Sequence, residues 1–190
     1  MFPEQVETDS LDLIQMSLAN VDVFGLYDLF GKESKGTEDV FEYIPQEPFT
    51  TIKDAQEWLA VAESEWEDRE SARYLVFRSD GTLVGLTVLS LEWNRKKGDL
   101  AVILAKPYWG NGYAQECAMV LTELAFDRLD LEVVTLGYDE GNDRSKAAIE
   151  SFIDRVDGQY DGVTRNATRR GNRVVDAHNY SVTKEQYRQE

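Results

Sequence analysis

The sequence has almost none of the residues that build disulfides, zinc sites and histidine-dependent active sites. Its 190 residues include one cysteine, Cys117, and one histidine, His178. A disulfide within the chain is therefore impossible, a zinc site of Cys and His ligands cannot be assembled, and no metal site is expected. A Ser-His-Asp triad would have to use His178, whose alternating sequence surroundings favour an ordinary strand position. Cys117 lies on the apolar stripe of a predicted helix, which favours a small buried side chain over a nucleophile.

Long hydrophobic runs are also missing. No run approaches the roughly 18 apolar residues of a membrane-spanning helix, and the first residues lack the basic and apolar regions of a secretory signal. Four prolines and 13 glycines exclude a collagen-like or linker composition. The 42% of hydrophobic and 11% of aromatic residues argue against disorder. Together these features predict one soluble cytoplasmic domain that spans residues 1–190.

Positive charge is scarce. Lys and Arg number 20 against 36 Asp and Glu, which gives a formal net charge of −16. This charge repels phosphates and anionic lipids, so neither a nucleic acid nor a membrane is expected as a partner. The acids are spread along the chain, a composition typical of proteins in concentrated salt, where ions screen self-repulsion; it predicts a halophilic source. A compatible interpretation is that the negative field attracts a cationic amine substrate.

The periodicity of apolar residues predicts alternating strands and helices. Strands are expected at Leu11–Leu18, Arg73–Arg78, Leu83–Leu91, Leu100–Ala105, Glu132–Tyr138, 160–168 and 173–182. Helices are expected between Asp22 and Gly31, after a cap at Thr50 or Thr51, and over 112–128 and 143–156. The pair Asp80-Gly81 predicts a hairpin, and Arg170-Gly171-Asn172 a second turn. This order indicates a mixed α/β sheet with helices on its faces.

The most informative stretch joins a buried strand to a helix through a loop with two glycines, Gly110 and Gly112. Glycines before a helix let several N–H groups converge on an anion, and the helix dipole adds roughly half a positive charge there. The stretch therefore predicts a pyrophosphate cradle, although two such glycines also occur in ordinary turns. It is not a dinucleotide-binding fingerprint, because the third glycine is missing and the strand belongs to an antiparallel run.

This stretch resembles the signature of the GNAT N-acetyltransferases, in particular the branch that acetylates ribosomal-protein amino termini (RimJ/RimL type). The run Trp109-Gly110-Asn111-Gly112-Tyr113-Ala114 with Glu116 is close to that branch's W-G-x-G-Y-A-x-E, and Lys106-Pro107-Tyr108 precedes it. The resemblance extends along nearly the full chain, through Leu11–Leu18, Tyr43-Ile44-Pro45, the Trp58 helix, Ala125-Phe126 and Asn142-Asp143-Arg144-Ser145. It implies the GNAT fold: a mixed, mostly antiparallel sheet of about seven strands, with helices on both faces and splayed central strands.

The resemblance implies acetyl-CoA as co-substrate. The strand before the bend should offer backbone groups to the pantetheine amides as if the cofactor were an extra strand. The bend should hold the pyrophosphate, and Asn142 should bond the pantetheine arm, although Asn142 could instead serve as a helix cap. The implied contact residues are Ile103, Leu104, Ala105, Trp109, Gly110, Asn111, Gly112, Tyr113, Ala114 and Asn142.

The implied reaction is direct attack of an amine on the thioester within a ternary complex. A carboxylate or a water chain must take the proton of the amine. Asp99, just before the cofactor strand, is the first candidate, and Glu92 is the second. Tyr138 and Glu140 follow, and each of these residues could equally be a solvated strand end.

Two further groups are needed. N–H groups near Leu104 are expected to stabilise the oxyanion. The departing thiolate needs a proton or a hydrogen bond, and many GNAT enzymes supply it from a tyrosine seven residues after the asparagine. Ile149 stands there in this chain, so the role falls to Ser145 or to solvent, unless Ser145 is only a first-turn helix residue.

The acceptor stays open at the level of sequence: a protein amino terminus, a polyamine or another small amine. The insert between Lys32 and Thr51 is expected to shape its pocket through Phe41, Tyr43 and Phe49, or to place these rings in the core. The branch's usual K-x-G-F motif is absent after the fourth helix. A non-catalytic acyl-CoA-binding module and a nucleotide-binding interaction domain are the alternatives, and a homodimer is one expectation for assembly.

Overall fold

Eight strands form the sheet in the computed structural model of the protein, which describes residues 1–170 and 173–188. The strands are β1 Gln5–Glu7, β2 Leu11–Gln15, β3 Ser71–Arg78, β4 Leu83–Glu92, β5 Lys97–Leu104, β6 Val133–Asp139, β7 Gln159–Arg170 and β8 Arg173–Thr183. Their order in the sheet is β1-β2-β3-β4-β5-β6-β8-β7. Neighbouring strands run antiparallel except β5 and β6, which are parallel.

The helices of the described chain are α1 Val23–Phe30, α2 Thr37–Phe41, α3 Ile52–Glu67, α4 Tyr113–Glu123, α5 Asp143–Arg155 and α6 Lys184–Tyr187. Local sequence explains where the long helices begin. Asp22 caps α1 by accepting from Phe24 N–H, and Thr51, rather than Thr50, caps α3 in a reciprocal capping box with Asp54. Helix α4 continues into a π-helical turn at Leu124–Arg128, within the region predicted as one helix.

The mixed α/β architecture with helices on both faces is confirmed, with corrections of detail. The expected seven strands become eight, because the three-residue β1 pairs with β2; short strands and the short helices α2 and α6 carry too little periodicity to be predicted. Strand β2 ends at Gln15 rather than Leu18, because the chain turns there and Asn20 N–H bonds the Ser17 carbonyl. Of the predicted turn at 170–172, Gly171 and Asn172 lie outside the described residues.

The sheet separates two apolar cores. On one face, α4 and α5 cover a core that includes Tyr74, Leu89, Leu121, Phe126 and Phe152. On the other face, α1 and α3 cover a core that includes Leu26, Phe30, Leu59, Leu75 and Leu86. Each strand of the centre alternates between the two, because successive side chains point to opposite faces. No helix of the described residues is long and apolar enough to cross a membrane.

The parallel pair at the centre of the sheet separates after a short contact. Strand β5 pairs with β6 at three positions, Lys97 with Val133, Gly98 with Val134 and Asp99 with Thr135. Strand β5 continues to Leu104 beside β4, and β6 continues to Asp139 beside β8. Between Asp99 and the end of β5 the sheet is therefore open, as the expectation of splayed central strands required.

Candidate active site

The open edge of β5 presents only every second residue's backbone. Hydrogen bonds between antiparallel strands alternate, so neighbouring residues turn their N–H and C=O groups to opposite sides. Ala105 N–H bonds the Val84 carbonyl at 3.0 Å, which places the odd-numbered residues against β4. Val102 and Leu104 consequently turn their backbone groups toward the opening.

The alternation gives the predicted contact residues of β5 different backbone directions. Ala105 N–H is occupied by Val84, and the Ala105 carbonyl accepts from Tyr108 N–H at 3.0 Å. Ile103 directs its backbone to β4 and contributes a side chain to the opening instead. Of the predicted strand segment, Leu104 turns its N–H toward the opening, and so does Val102, which was not predicted from sequence. Which alternate residues face the opening depends on the pairing of β5 with β4, and this pairing cannot be assigned from sequence.

The bend between β5 and α4 is free of obstruction. Gly110 and Gly112 have φ angles of +79° and +81°, a region that favours glycine, and a Cβ built on either meets nothing within 4 Å. Helix α4 begins at Tyr113 with Gly112 as its cap, so its first-turn N–H groups have no acceptor inside the helix. Asn111 shapes the bend, since its Nδ2 donates to the carbonyls of Tyr108 and Trp109 at 3.0 and 3.2 Å. The bend thus has the form of an anion cradle.

The last residue of the signature anchors the same helix. Glu116 accepts a 2.7 Å hydrogen bond from Ser10 N–H and a second from the Thr8 hydroxyl, both in the turn between β1 and β2. This tie fixes the start of α4 against the edge of the sheet. Glu116 therefore helps to orient the bend from the side of the β1–β2 turn, and its side chain does not line the opening.

Trp109 closes the end of the open edge. Its indole Nε1 donates to the Leu104 carbonyl at 2.7 Å, so this carbonyl is already bonded while the Leu104 N–H faces the opening. The Arg144 guanidinium, on the first turn of α5, stacks 3.5 Å above the indole ring. Trp109 thus joins the strand that ends before the bend to the helix on the other side of the opening.

A cleft of about 450 Å³ passes through the sheet at this opening. Its α4/α5 side is lined by Leu104, Trp109, Ala114, Gln115, Ala118, Asn142, Arg144, Ser145, Ala148, Ile149 and Phe152. Its α3 side is lined by Asp39, Val40, Tyr43, Ile44, Pro45, Gln46, Trp58, Arg73, Val88 and Ser90. A molecule on one face can therefore meet a molecule on the other through the gap between β5 and β6.

The loop before α5 places two of the predicted residues on the cleft. Asn142 caps α5, as its Oδ1 accepts from Ser145 N–H at 3.1 Å, and it also lines the cleft. The capping role and the cleft position are compatible, because only one atom of the amide is used in the cap. Ser145 lies one turn inside the helix on the same wall, and Ile149 follows one turn later.

The predicted acid–base residues are placed differently from one another. Asp99 is exposed at the point where β5 and β6 part. It lies outside the cleft lining but directly across from Ser90 of the cleft wall, and it accepts from the Thr135 hydroxyl at 2.7 Å. Glu92 lies at the far end of β4 outside the lining and pairs with Arg95 and Lys97 at 2.9 and 3.0 Å. The hydrogen bond from Lys97 lowers the pKa of Glu92, which makes its carboxylate a weak base.

The other candidates lie away from the opening. Tyr138 is buried on the α5 face, its ring stacked on His178 at 4.7 Å between centroids. Its hydroxyl therefore belongs to an aromatic cluster that includes Tyr180, outside the cleft lining. Glu140 is exposed after β6 and is also outside the lining. Cys117 is fully buried in α4, and burial raises the pKa of its thiol to about 12, which confirms the expected buried position.

A segment of the insert forms a wall over the α3 side. Tyr43 donates its hydroxyl to the Gly141 carbonyl at 3.0 Å, and its own carbonyl accepts from Arg170 at 2.8 Å. Arg170 also pairs with Asp139 at 2.5 Å, and Lys106 pairs with Asp39 at 2.7 Å. Of the predicted aromatic residues, Tyr43 therefore lines the cleft, while Phe49 lies in the core.

Sequence reasoning missed three arginines near the site: Arg73, Arg144 and Arg170. Their importance depends on contacts across the fold, and isolated arginines in an ordinary helix or strand give no signal. Only Arg144 stood within a recognised motif, at Asn142-Asp143-Arg144-Ser145. Among the described residues, no group of three or more His, Cys, Asp or Glu side chains is arranged to hold a metal ion.

Comparison with known proteins defines the class of this fold and site. The family described as "Acetyltransferase (GNAT) domain" matches residues 22–152, more than half of the chain and all of the cleft. The chain therefore belongs to the GNAT family and is an N-acetyltransferase. No curated protein matches the chain closely enough to count as a relative.

Solved structures agree in fold over nearly the whole chain. The spermidine N-acetyltransferase of Vibrio cholerae, solved with CoA and spermine, is 16% identical with a TM-score of 0.77 and covers 95% of this chain and 99% of its own. Microcin C7 self-immunity acetyltransferase MccE, solved with acetyl-CoA and AMP, is 14% identical with a TM-score of 0.84 and covers 96% and 97%. A GNAT-family acetyltransferase of Bacillus anthracis is 18% identical with a TM-score of 0.78 and covers 95% and 99%. At these identities the likeness establishes the fold alone.

Proposed function

We propose that the protein transfers the acetyl group of acetyl-CoA to a primary amine, with the donor on the α4/α5 side of the cleft and the amine on the α3 side. The single observation that carries this proposal is the open edge of β5 beside an unobstructed two-glycine bend. The strand edge matches the amides of pantetheine, and the bend matches a diphosphate, so both ends of one elongated molecule find suitable groups.

The residues that would hold the donor follow from the geometry. Val102 and the N–H of Leu104 face the opening and would pair with the pantetheine amides. Gly110, Asn111 and Gly112, with the first-turn N–H groups of Tyr113 and Ala114, would bind the pyrophosphate. Asn142 would contact the arm from the opposite wall, and the space beside Gly110 and Gly112 holds no protein atom within 4 Å of an added Cβ.

Acetyl-CoA supplies an activated acyl group, and the chain would orient it toward the amine. The amine nitrogen forms a bond to the thioester carbon, the carbon–sulfur bond breaks, and an acetamide and CoA result. The nitrogen proton leaves to a base, and the CoA sulfur takes up a proton. N–H groups of β5 that face the opening near Leu104, and that are not paired with a pantetheine amide, would stabilise the charge that develops on the thioester oxygen.

We assign the base role to Asp99, acting through water. Asp99 is exposed beside Ser90 at the parting of the strands, and its bond to Thr135 fixes the carboxylate. Ser145 lies on the donor wall and would serve the departing sulfur. This assignment leaves out Glu92, which is paired with two cations, and Tyr138, which is buried in an aromatic cluster.

Ligand binding and turnover test the function separately. Acetyl-CoA at a hundred times its dissociation constant should stabilise the protein by about 2.7 kcal/mol, measured as a shift in thermal unfolding at low and at high salt concentration. Release of free CoA with a panel of amines then tests transfer. Stabilisation without release for any amine, peptide amino termini included, would favour a non-catalytic binding module.

The substitution Asp99→Asn tests the base, because asparagine can keep the bond to Thr135. We expect a lower rate and a rate profile shifted to higher pH, since deprotonation of the amine would then depend on solvent. Glu92→Gln is the matched control, because Glu92 lies two residues beyond Ser90 on β4 and is paired with Arg95 and Lys97, and it should leave the profile unchanged. Equal profiles for wild type and Asp99→Asn would remove Asp99 from the mechanism.

A finer assignment follows from the signature residues. We propose that the chain belongs to the RimJ/RimL-type branch as a single domain over residues 1–190, because Trp109, Gly110 and Gly112 shape the bend and Glu116 anchors the helix that follows it. The branch's own acceptor, a protein amino terminus, is one member of the class of acceptors argued next.

A further inference from the structure

The α3 side of the cleft carries little negative charge, although the chain as a whole has a net charge of −16. Asp39 is the sole carboxylate in the cleft lining among the described residues, against the two guanidinium groups of Arg73 and Arg144. Lys106 Nζ donates to Asp39 Oδ2 at 2.7 Å, and this hydrogen bond lowers the pKa of the Asp39 carboxyl. The acidity of the surface therefore does not continue into the cleft.

Arg73 is the charged group on the floor of the α3 side. Its Nε and Nη2 both contact one oxygen of Glu65, at 2.7 and 2.6 Å, and its side chain is 16% exposed. Glu65 lies on α3 behind Arg73 and is outside the cleft lining. The pair thus turns its positive member toward the cleft and keeps its negative member away from it.

The remaining wall of the α3 side is largely apolar. It is formed by Val40, Ile44, Pro45, Trp58 and Val88, with Tyr43 over them. Such a wall binds the hydrocarbon part of a ligand through burial of apolar area. Asp39 is paired with Lys106, and Asp99 is assigned to the reacting amine. A second ammonium group placed here would therefore lose its hydration without gaining a carboxylate of its own, and it would meet the positive charge of Arg73.

We infer that the acceptor is a primary amine on an apolar body without a second positive charge, and that Arg73 excludes polycationic acceptors. The inference rests on the proposed function, since it names the substrate class of the same cleft. It separates this chain from polyamine acetylation, despite the shared fold with the spermidine enzyme. Amino termini followed by apolar residues and simple alkyl or aryl amines belong to the predicted class; spermidine and aminoglycoside-like amines do not.

Two amines of equal length test the inference on the wild-type protein. Pentylamine and 1,5-diaminopentane differ by one terminal amino group, and kcat/KM is measured for both with saturating acetyl-CoA. We expect pentylamine to be preferred by about tenfold or more, because the diamine must bury an unpaired charge. Equal turnover, a preference for the diamine, or turnover of neither amine by a protein that binds acetyl-CoA would overturn the inference. Absence of acetyl-CoA binding would instead overturn the proposed function.

The substitution Arg73→Met then tests the residue. It keeps roughly the volume of the side chain, removes the positive charge that faces the cleft and leaves the Glu65 charge on α3 uncompensated, so we expect the preference for pentylamine to shrink severalfold or to reverse. Lys53→Met is the matched control, since Lys53 pairs with Glu57 on the exposed surface of the same helix as Glu65, at 3.2 Å. An unchanged ratio in a folded Arg73→Met protein would show that Arg73 does not set the specificity, and the wild-type ratio remains decisive if this variant fails to fold.

Discussion

The indole Nε1 of Trp109 donates to the carbonyl of Leu104 at 2.7 Å, across the loop that leads from the open strand to the bend. The bond leaves Leu104 with its N–H facing the cleft and its carbonyl already satisfied. At this end of the strand, the N–H of Leu104 can therefore pair with a substrate, whereas its carbonyl cannot. The proposed donor site therefore depends on the tryptophan of the signature.

The substitution Trp109→Phe should weaken acetyl-CoA binding by about fivefold, because it removes a hydrogen bond worth about 1 kcal/mol that orders the loop. Isothermal titration gives the dissociation constant. Trp93→Phe is a close control, since Trp93 Nε1 donates to the Arg69 carbonyl at the same distance of 2.7 Å, away from the cleft. Unchanged affinity in Trp109→Phe, or an equal loss in both variants, would contradict the role given to Trp109.

The substitution Gly112→Ala should cost about 1 kcal/mol of stability, since a non-glycine residue is strained at a φ of +81°. It should also reduce acetyl-CoA affinity, because the bend would relax away from the geometry that gathers its N–H groups. Gly81 has the same φ of +81° and equally open space in the β3–β4 hairpin, so Gly81→Ala should reproduce the loss of stability without the loss of affinity. If Gly112→Ala and Gly81→Ala bind acetyl-CoA with the same affinity, the bend does not bind the donor.

The substitution Arg170→Met should destabilise the protein by about 3–5 kcal/mol, because it leaves the Asp139 carboxylate buried without its partner. Adding Asp139→Asn should recover part of this loss, which urea unfolding of the single and double variants measures. Arg170 also holds the Tyr43 carbonyl, so KM for the amine should rise in the double variant while acetyl-CoA affinity stays unchanged. Arg165→Met, at an exposed position of the same strand, is the control; a rise in KM there as well would argue against a specific contact.

The thiol of Cys117 should stay unreactive toward a disulfide reagent in the folded protein from about pH 7 to pH 9. Burial raises its pKa to about 12, so the reactive thiolate is not formed across this range, and the fully buried position also blocks access. Reaction in urea should proceed at the rate of an ordinary thiol. Rapid labelling of the native protein with a rate that rises between the two pH values would show that the thiol is exposed.

Most of the architecture could be predicted from the sequence because it depends on local patterns. Alternation located β3 and β4, the Asp80-Gly81 pair located their hairpin, and helical spacing located α4 and α5. Caps were also local, since Asp22 and Thr51 each bond an N–H a few residues ahead. Helix α2 was missed because five residues show too little of a helical period.

The two-glycine bend was predicted from sequence for the same reason, since the conformation of Gly110 and Gly112 is a property of their own backbones. The surroundings of the candidate acid–base residues could not be predicted in this way. Asp99, Glu92 and Tyr138 all lie at strand ends in the sequence. Only the folded chain shows that Asp99 lies beside the opening, Glu92 in ion pairs and Tyr138 in a buried cluster.

The sequence by itself determined the order of elements, the bend and the family signature, because these arise from residues close together in the chain. Tertiary structure alone decided which backbone groups of β5 are free, because that depends on the register with β4 and on where β6 turns away. It also decided the charge of the cleft. Lys106 and Asp39, and Arg73 and Glu65, are brought together by packing, so the acidity of the whole chain could not reveal that the cleft carries almost none of it.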